Sequence, residues 1–271
     1  MSKDRFCIDI GGTKTVFALI DENLSIKRSE ILPTPKNRER LSQFLLENSK
    51  RYSGESETAA ISVAGRVDRN GKMVFCPNLA ALGLNIKRIV GSLFNESIIE
   101  NDGNCFGLYS AKAGQLKGMK NGIAIVWGTG IGGAVLSDGK IMHGEGLSTE
   151  LGHIALFDRQ SGDIESLIGG RSIKERYGMD GFTLHSLAEK GDSSAIKSFS
   201  EIGRQFGRYI SSLSYIFDPE RIVIGGSFAN SWKFMKEEVY KSVKRETIRG
   251  KLDIKIEKGK YNVIKGCYFL R

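Results

Sequence analysis

Two glycine-rich stretches and one acidic tripeptide carry the chemistry that can be read from this chain. Asp9, Gly11, Gly12, Thr13 and Lys14 lie in "DIGGTKT", at the end of the apolar run "RFCIDI". Gly128, Thr129, Gly130 and Gly132 lie in "WGTGIGG", at the end of "GIAIVW". A third glycine pair, Gly225 and Gly226, closes "RIVIGG". Glycine lets backbone come close to a ligand, and successive N–H groups in such turns form concavities that bind anions. Asp102 lies in "ENDGN", directly ahead of a helical stretch.

Each stretch alone has a plain alternative. One glycine loop is as well explained by a tight turn as by a phosphate seat. Asp102 alone reads as a helix N-cap ahead of "CFGLYSAKAG", and His153 as a satisfied, partly buried histidine. The loops are neither a Walker loop nor a dinucleotide fingerprint. GxxxxGK[ST] is absent, and "GTGIGG" runs into "AVLSDG", a strand and a turn.

The elements that must position these residues read as α/β. Strands are expected at Phe6–Ile10, Val16–Ile20, Ile26–Leu32, Thr58–Val63 and Ser97–Glu100, with helices over Lys36–Tyr52 and near Ile86–Leu93. The opening order then restarts. Gly122–Trp127, the second loop, Ala134–Leu136 and Lys140–His143 repeat strand, glycine loop, strand, turn, strand. A long amphipathic helix through Ala195–Leu213 and a strand at Arg221–Ile224 follow. The pattern predicts two α/β lobes, residues 1–110 and 111–271, with a ligand cleft between them.

Bulk composition limits the classes. The chain has 271 residues, 40% of them hydrophobic and 26% charged, as in ordinary globular proteins. No stretch is long and apolar enough to span a membrane and no apolar leader is visible, so a cytoplasmic location is expected. The net charge is +9, but the basic residues are dispersed and lack interleaved stacking aromatics. A solvated surface explains that charge better than nucleic acid does. Cys7, Cys76, Cys105 and Cys267 form no CxxC pair, so neither a metal knot nor a disulfide framework is expected.

Taken in order, "DIGGTKT", "NDGN", "WGTGIGG", "STELGH" and "IVIGG" resemble the ROK family of sugar kinases. The resemblance implies the two-lobed actin/hexokinase (ribonuclease H-like) fold and ATP-dependent, Mg2+-assisted phosphoryl transfer to a sugar hydroxyl. By resemblance, Gly11, Gly12, Thr13 and Lys14 form the first phosphate loop, and Asp9 is the carboxylate near the magnesium. Gly128, Thr129, Gly130 and Gly132 form the second phosphate loop, and Gly225 and Gly226 the adenosine-side turn. Asp102 matches the general base. Gly65, Arg66, Asn78, Asn101, Glu150, His153 and Glu165 match the sugar side.

One departure is plain. Many ROK members bind zinc through a cysteine cluster after "GH", whereas here "GHIALFDRQSGDIESLIGG" holds no cysteine. No zinc is expected, and the shortened segment makes the alignment of Glu165 less direct. The family's repressors add an N-terminal helix-turn-helix, which is not expected ahead of a strand at Phe6. A non-catalytic actin-like protein would need the phosphate loops but not "STELGH". The expected partners are sugar and ATP, without nucleic acid or membrane, and the expected assembly is a homodimer. "GRVD" at Gly65–Asp68 resembles N-acetylmannosamine kinases more than glucokinases. N-acetylmannosamine is therefore the first expected sugar, and glucose the second.

Overall fold

The computed structural model describes residues 4–143, 150–155 and 162–271. These divide into two compact units. The first holds residues 4–112, His143 and Tyr261–Arg271; the second holds Ala113–Met142, 150–155 and 162–260.

In the first unit the strands are β1 (Arg5–Ile10), β2 (Lys14–Ile20), β3 (Ile26–Pro33), β4 (Thr58–Val63), the short β5 (Arg66–Val67) and β6 (Met73–Phe75), and β7 (Glu96–Asn101). The helices are α1 (Arg38–Lys50), α2 (Ile86–Gly91) and α3 (Asp102–Lys112), with a further helix over Asn262–Cys267 near the end of the chain. Five strands form one sheet in the order β3-β2-β1-β4-β7. β1 runs antiparallel to β2 and parallel to β4, and β4 runs parallel to β7. β4 is buried through nearly all of its length, as a strand covered on both faces must be. β3 alternates half-buried and exposed residues, which suits an edge strand. α1 starts at Arg38, two residues later than its periodicity suggests, because the Asn37 side chain accepts the Arg40 amide and caps the helix. Leu41 and Leu45, one turn apart, seat α1 on the sheet.

Tyr261–Arg271 belongs to the first unit, not to the expected 111–271 lobe. The physical reason is burial. Ile264, Cys267 and Leu270 pack with Cys7, Ala18 and Cys105 in one apolar cluster, and Arg5 donates to the Tyr268 carbonyl at 2.9 Å. Three cysteines far apart in sequence thus share one core as free thiols.

The second unit repeats the plan. β8 (Gly122–Trp127), β9 (Ile131–Ser137) and β10 (Lys140–Ile141) lead into helices α4 (Ile164–Ile168), α5 (Gly170–Tyr177), α6 (Gly181–Glu189) and α7 (Ser193–Phe217). β11 (Arg221–Gly225), α8 (Trp232–Glu246) and β12 (Ile254–Ile256) complete it. Its sheet order is β10-β9-β8-β11-β12, with β8 antiparallel to β9 and parallel to β11. β9 begins earlier than expected, because the glycines at 132 and 133 continue the ladder opposite Val126 and Ile125. α7 covers the sheet through Phe199, Phe206, Tyr209 and Leu213, all fully buried. Among the described residues, no helix is long and apolar enough to cross a membrane.

Candidate active site

The first glycine loop joins β1 to β2. The Gly11 amide donates to the Lys14 carbonyl at 3.0 Å and closes the turn. Residues after β3 then hold the loop carbonyls. The Thr34 hydroxyl donates to Gly11 O at 2.7 Å, the Thr34 amide donates to Thr13 O at 3.0 Å, and Lys36 Nζ donates to Gly12 O. Three successive loop carbonyls are thus fixed by the chain that follows β3. Among the described residues the Gly12 and Thr13 amides have no backbone acceptor. Asn78 stands beside this loop, since a Cβ on Gly12 would lie 2.4 Å from the Asn78 carbonyl.

Asp9 is the penultimate residue of β1, just before the loop. Its carboxylate accepts the Ser62 hydroxyl at 2.9 Å. Burial pushes it up to about 6, against smaller pulls from Ser62 and Lys14.

Asn101 and Asp102 occupy the junction of β7 and α3. Asn101 does most of the capping: its Oδ1 accepts the Gly103 amide at 2.8 Å, and its Nδ2 donates to Gly65 O at 3.0 Å. Asp102 Oδ1 accepts the same Gly103 amide at 2.9 Å. Gly65 and Arg66 are thereby brought to the end of β7, with Arg66 paired to Phe75 in the small β5–β6 sheet. Glu100, the β7 residue before Asn101, was not anticipated. It accepts the Asn101 amide at 2.8 Å, the Asn104 side chain at 3.0 Å and a contact with His143 Nε2 at 3.0 Å. Burial works to raise the Glu100 carboxyl, but these partners hold it below the ordinary range.

In the second unit the loop Gly128–Gly130 joins β8 to β9. The Gly128 amide donates to Gly130 O at 2.9 Å. The loop's outer carbonyls are again held, here by the start of α5: the Gly170 amide donates to Gly128 O at 3.1 Å and the Arg171 amide to Thr129 O at 3.0 Å. Trp127 anchors the base of the loop. Its indole donates to Ile168 O at 2.9 Å and stacks on Phe206 and Phe228, with ring centroids 4.5 and 5.1 Å away. Gly225 ends β11 opposite Val126. Gly226 follows at φ 87°, where a Cβ would come within 2.3 Å of the Trp127 carbonyl. Gly132 sits inside β9 and not in the turn.

Glu150 precedes a single helical turn, Leu151–His153, which is held by the buried Tyr209 hydroxyl donating to Leu151 O at 2.9 Å. His153 Nδ1 meets Asp163 Oδ2 at 2.7 Å. That bond raises the His153 imidazole above its ordinary value, against partial burial, with Glu165 and Glu150 adding to the pull. Asp163 also caps α4 by accepting the Ser166 amide at 2.8 Å, and its residue bridges to Ala155. Residues 156–161 of the shortened segment lie outside the described residues. Among the described residues, no cluster of three or more His, Cys, Asp or Glu side chains could hold a metal ion. Asp163 was missed because a lone aspartate ahead of "IESL" signals only a cap. Glu165, expected against a sugar, directs Oε2 to the Ile131 amide at 2.7 Å.

Two sheets of one order, each with a carbonyl-tied glycine loop on its central hairpin, define an actin/hexokinase-type fold. The chain belongs to the ROK family, whose model matches residues 5–261. It is 27% identical to a glucokinase of Streptomyces coelicolor over 278 residues, covering 90% of this chain and 88% of that protein. It is 26% identical to an N-acetyl-D-glucosamine kinase of Yersinia enterocolitica over 297 residues, covering 97% of each. The crystal structure of a ROK glucokinase from Streptomyces griseus, solved with glucose and AMPPNP, shares the fold at a TM-score of 0.86 and 24% identity, covering 98% of both chains.

Proposed function

We propose that this protein is an ATP-dependent sugar kinase that phosphorylates the 6-hydroxyl of a hexose or N-acetylhexosamine. The observation that carries this reading is the duplicated loop: two glycine hairpins in equivalent sheets, each with its carbonyls tied back. A triphosphate needs donors at more than one point, and such loops supply them. The names of the two sequence relatives support the same substrate class.

Asp102 acts as general base. As the sugar oxygen bonds to the γ-phosphorus, its proton passes to the Asp102 carboxylate. The bond from that phosphorus to the bridging oxygen breaks, and ADP leaves. Asn101, which caps α3 and ties Gly65, holds Asp102 at the helix start. Asn101, Glu150, His153 and Glu165 are the residues proposed to bond sugar hydroxyls, in directional pairs.

Asp9 is the residue that would hold magnesium, through water or phosphate. A single half-buried carboxylate fits that ion, which keeps most of its waters and takes few protein ligands. When bound, Mg2+ neutralises charge on the phosphates.

Within the sugar class, N-acetylmannosamine comes first and glucose second. Arg66, beside Gly65 and Asn101, carries a guanidinium that could donate to an acetamido oxygen. A coupled ADP-release screen across glucose, mannose, N-acetylglucosamine and N-acetylmannosamine tests the whole reading. Sugar-dependent ADP release, highest with an acetylated sugar, is expected. ADP release that no sugar stimulates would end the kinase reading. A preference for glucose would leave the kinase and remove the acetamido assignment.

A further inference from the structure

Three motifs of the second unit converge on one side chain. Glu165 is half-buried, and its carboxylate rests among glycines from "GTGIGG", "TELGH" and "LIGG". A Cβ on Gly130 would lie 2.2 Å from Glu165 Oε2, and one on Gly152 would lie 3.4 Å from the same atom. A Cβ on Gly169 would lie 3.0 Å from the Glu165 Cγ. The residue's own backbone is pinned. Its carbonyl accepts the Gly169 amide at 2.8 Å and the Ser172 hydroxyl at 3.1 Å. The side chain therefore has little freedom, and it spends Oε2 on the Ile131 amide at 2.7 Å, the first residue past the loop. Among the described residues, Oε1 takes no hydrogen bond.

We propose that Glu165 is a positioning residue for the second phosphate loop, holding the Ile131 amide so that Gly128–Gly130 keeps its anion-receiving shape. The proposal rests on the kinase reading for what the loop receives, and on the geometry alone for the brace. A carboxylate accepting a backbone N–H makes a charge-assisted bond, stronger than the amide–amide bonds around it. The bond spans 34 residues, so it ties the segment carrying Glu150 and His153 to the segment carrying the loop. With Oε1 turned to a sugar hydroxyl, one side chain would serve sugar and nucleotide together. Loss of Glu165 should then weaken nucleotide binding even when no sugar is present, which a sugar contact alone cannot do.

The test compares wild type with Glu165→Gln and Glu165→Ala. The amide oxygen of glutamine can still accept the Ile131 N–H; alanine cannot. Calorimetry with AMPPNP and Mg2+ in the absence of sugar should show binding weakened about tenfold or more in Glu165→Ala, the scale of a lost charge-assisted bond. It should stay within about threefold of wild type in Glu165→Gln, since a neutral acceptor keeps the geometry. Amide hydrogen exchange should show Ile131 released in Glu165→Ala and still protected in Glu165→Gln. Gly130→Ala drives its Cβ into the carboxylate, so it should imitate Glu165→Ala, and the double variant should be no worse than either single one. If Glu165→Ala does not fold, Glu165→Asp is read in the same assays, because it keeps the charge and withdraws the oxygen by one methylene. Unchanged AMPPNP affinity together with unchanged Ile131 exchange in the alanine (or aspartate) variant overturns the proposal. Wild-type protein that binds no AMPPNP, with Ile131 still released by the substitution, would sink the kinase reading and leave the brace in place.

Discussion

The two glycine loops solve the same problem with different materials. In each, the loop carbonyls are held by donors from elsewhere in the same unit. The first loop is held by close neighbours: a threonine hydroxyl, a threonine amide and a lysine from the stretch that follows β3. All of them donate, and all sit one hairpin away. The second loop is held from a distance, by the Gly170 and Arg171 amides and by the Glu165 carboxylate. The first is a locally determined structure, whereas the second is assembled by tertiary packing. The lesson is that equivalent loops on equivalent sheets need not be equally sensitive to the same change.

The strongest way to break the comparison is to remove the chemistry that only the first unit is proposed to supply. Asp102→Asn should keep sugar and ATP binding measurable while kcat falls by about 10²–10⁴-fold, the usual range for a lost general base. Steady-state kinetics with binding measured separately decides it. Near-normal turnover would take Asp102 out of the role and make the α3 junction only a cap.

Arg66 sharpens the division on the sugar side. Arg66→Ala should lower kcat/KM for N-acetylmannosamine by about ten- to a hundredfold, the value of a charge-assisted hydrogen bond. Glucose has no acetamido acceptor, so its kcat/KM should hardly move. A parallel fall with both sugars would mean that Arg66 supports the β5–β6 loop instead.

The loops themselves can be set against each other by one methyl group. A Cβ on Gly12 would lie 2.4 Å from the Asn78 backbone carbonyl, while one on Gly128 finds its nearest neighbour at 3.9 Å, the Ser227 hydroxyl. Overpacking against backbone costs about 1–3 kcal/mol. Gly12→Ala should therefore lower stability by about that amount and raise KM for ATP. Gly128→Ala should leave stability within about 0.5 kcal/mol of wild type. Denaturant unfolding of both variants is the measurement, and equal losses would show that the local and the assembled loop are equally crowded.

The smallest expected effect belongs to the pair that steadies His153. Its partner Asp163 raises the imidazole above an unfolded value near 6.5. A group raised in the folded state contributes stability that is complete below the unfolded value and is lost as pH rises through the folded one. Asp163→Asn keeps the α4 cap, because asparagine also caps. The stability gap between wild type and variant should thus be larger at pH 5.5 than at pH 9. Both side chains are partly exposed, at 36% and 27%, so solvent screening limits the gap to under about 1 kcal/mol. A gap that grows toward high pH would contradict the pairing.

Much of the fold was legible in the residues. Apolar runs ending in glycine marked β1, β8 and β11, and the repeated strand–loop–strand order anticipated two similar sheets. The α7 stripe stood out because its apolar residues recur at helical spacing over a long stretch. α8 carries the same kind of signal at Met235, Val239 and Val243 and was passed over. α4 is too short for periodicity to show.

By itself, then, the sequence determined the element types, the two glycine loops and the family, because local spacing and backbone-permissive residues write those directly into the chain. Only the tertiary structure decided who holds whom. That Cys7, Cys105 and Cys267 share a core, that Tyr261–Arg271 returns to the first unit, that Asp163 faces His153 and that Glu165 braces Ile131 are contacts between segments far apart in sequence. Nothing in the spacing of residues encodes them, because they arise only when packed elements bring a donor and an acceptor to the same few ångströms and exclude the water that would otherwise satisfy both.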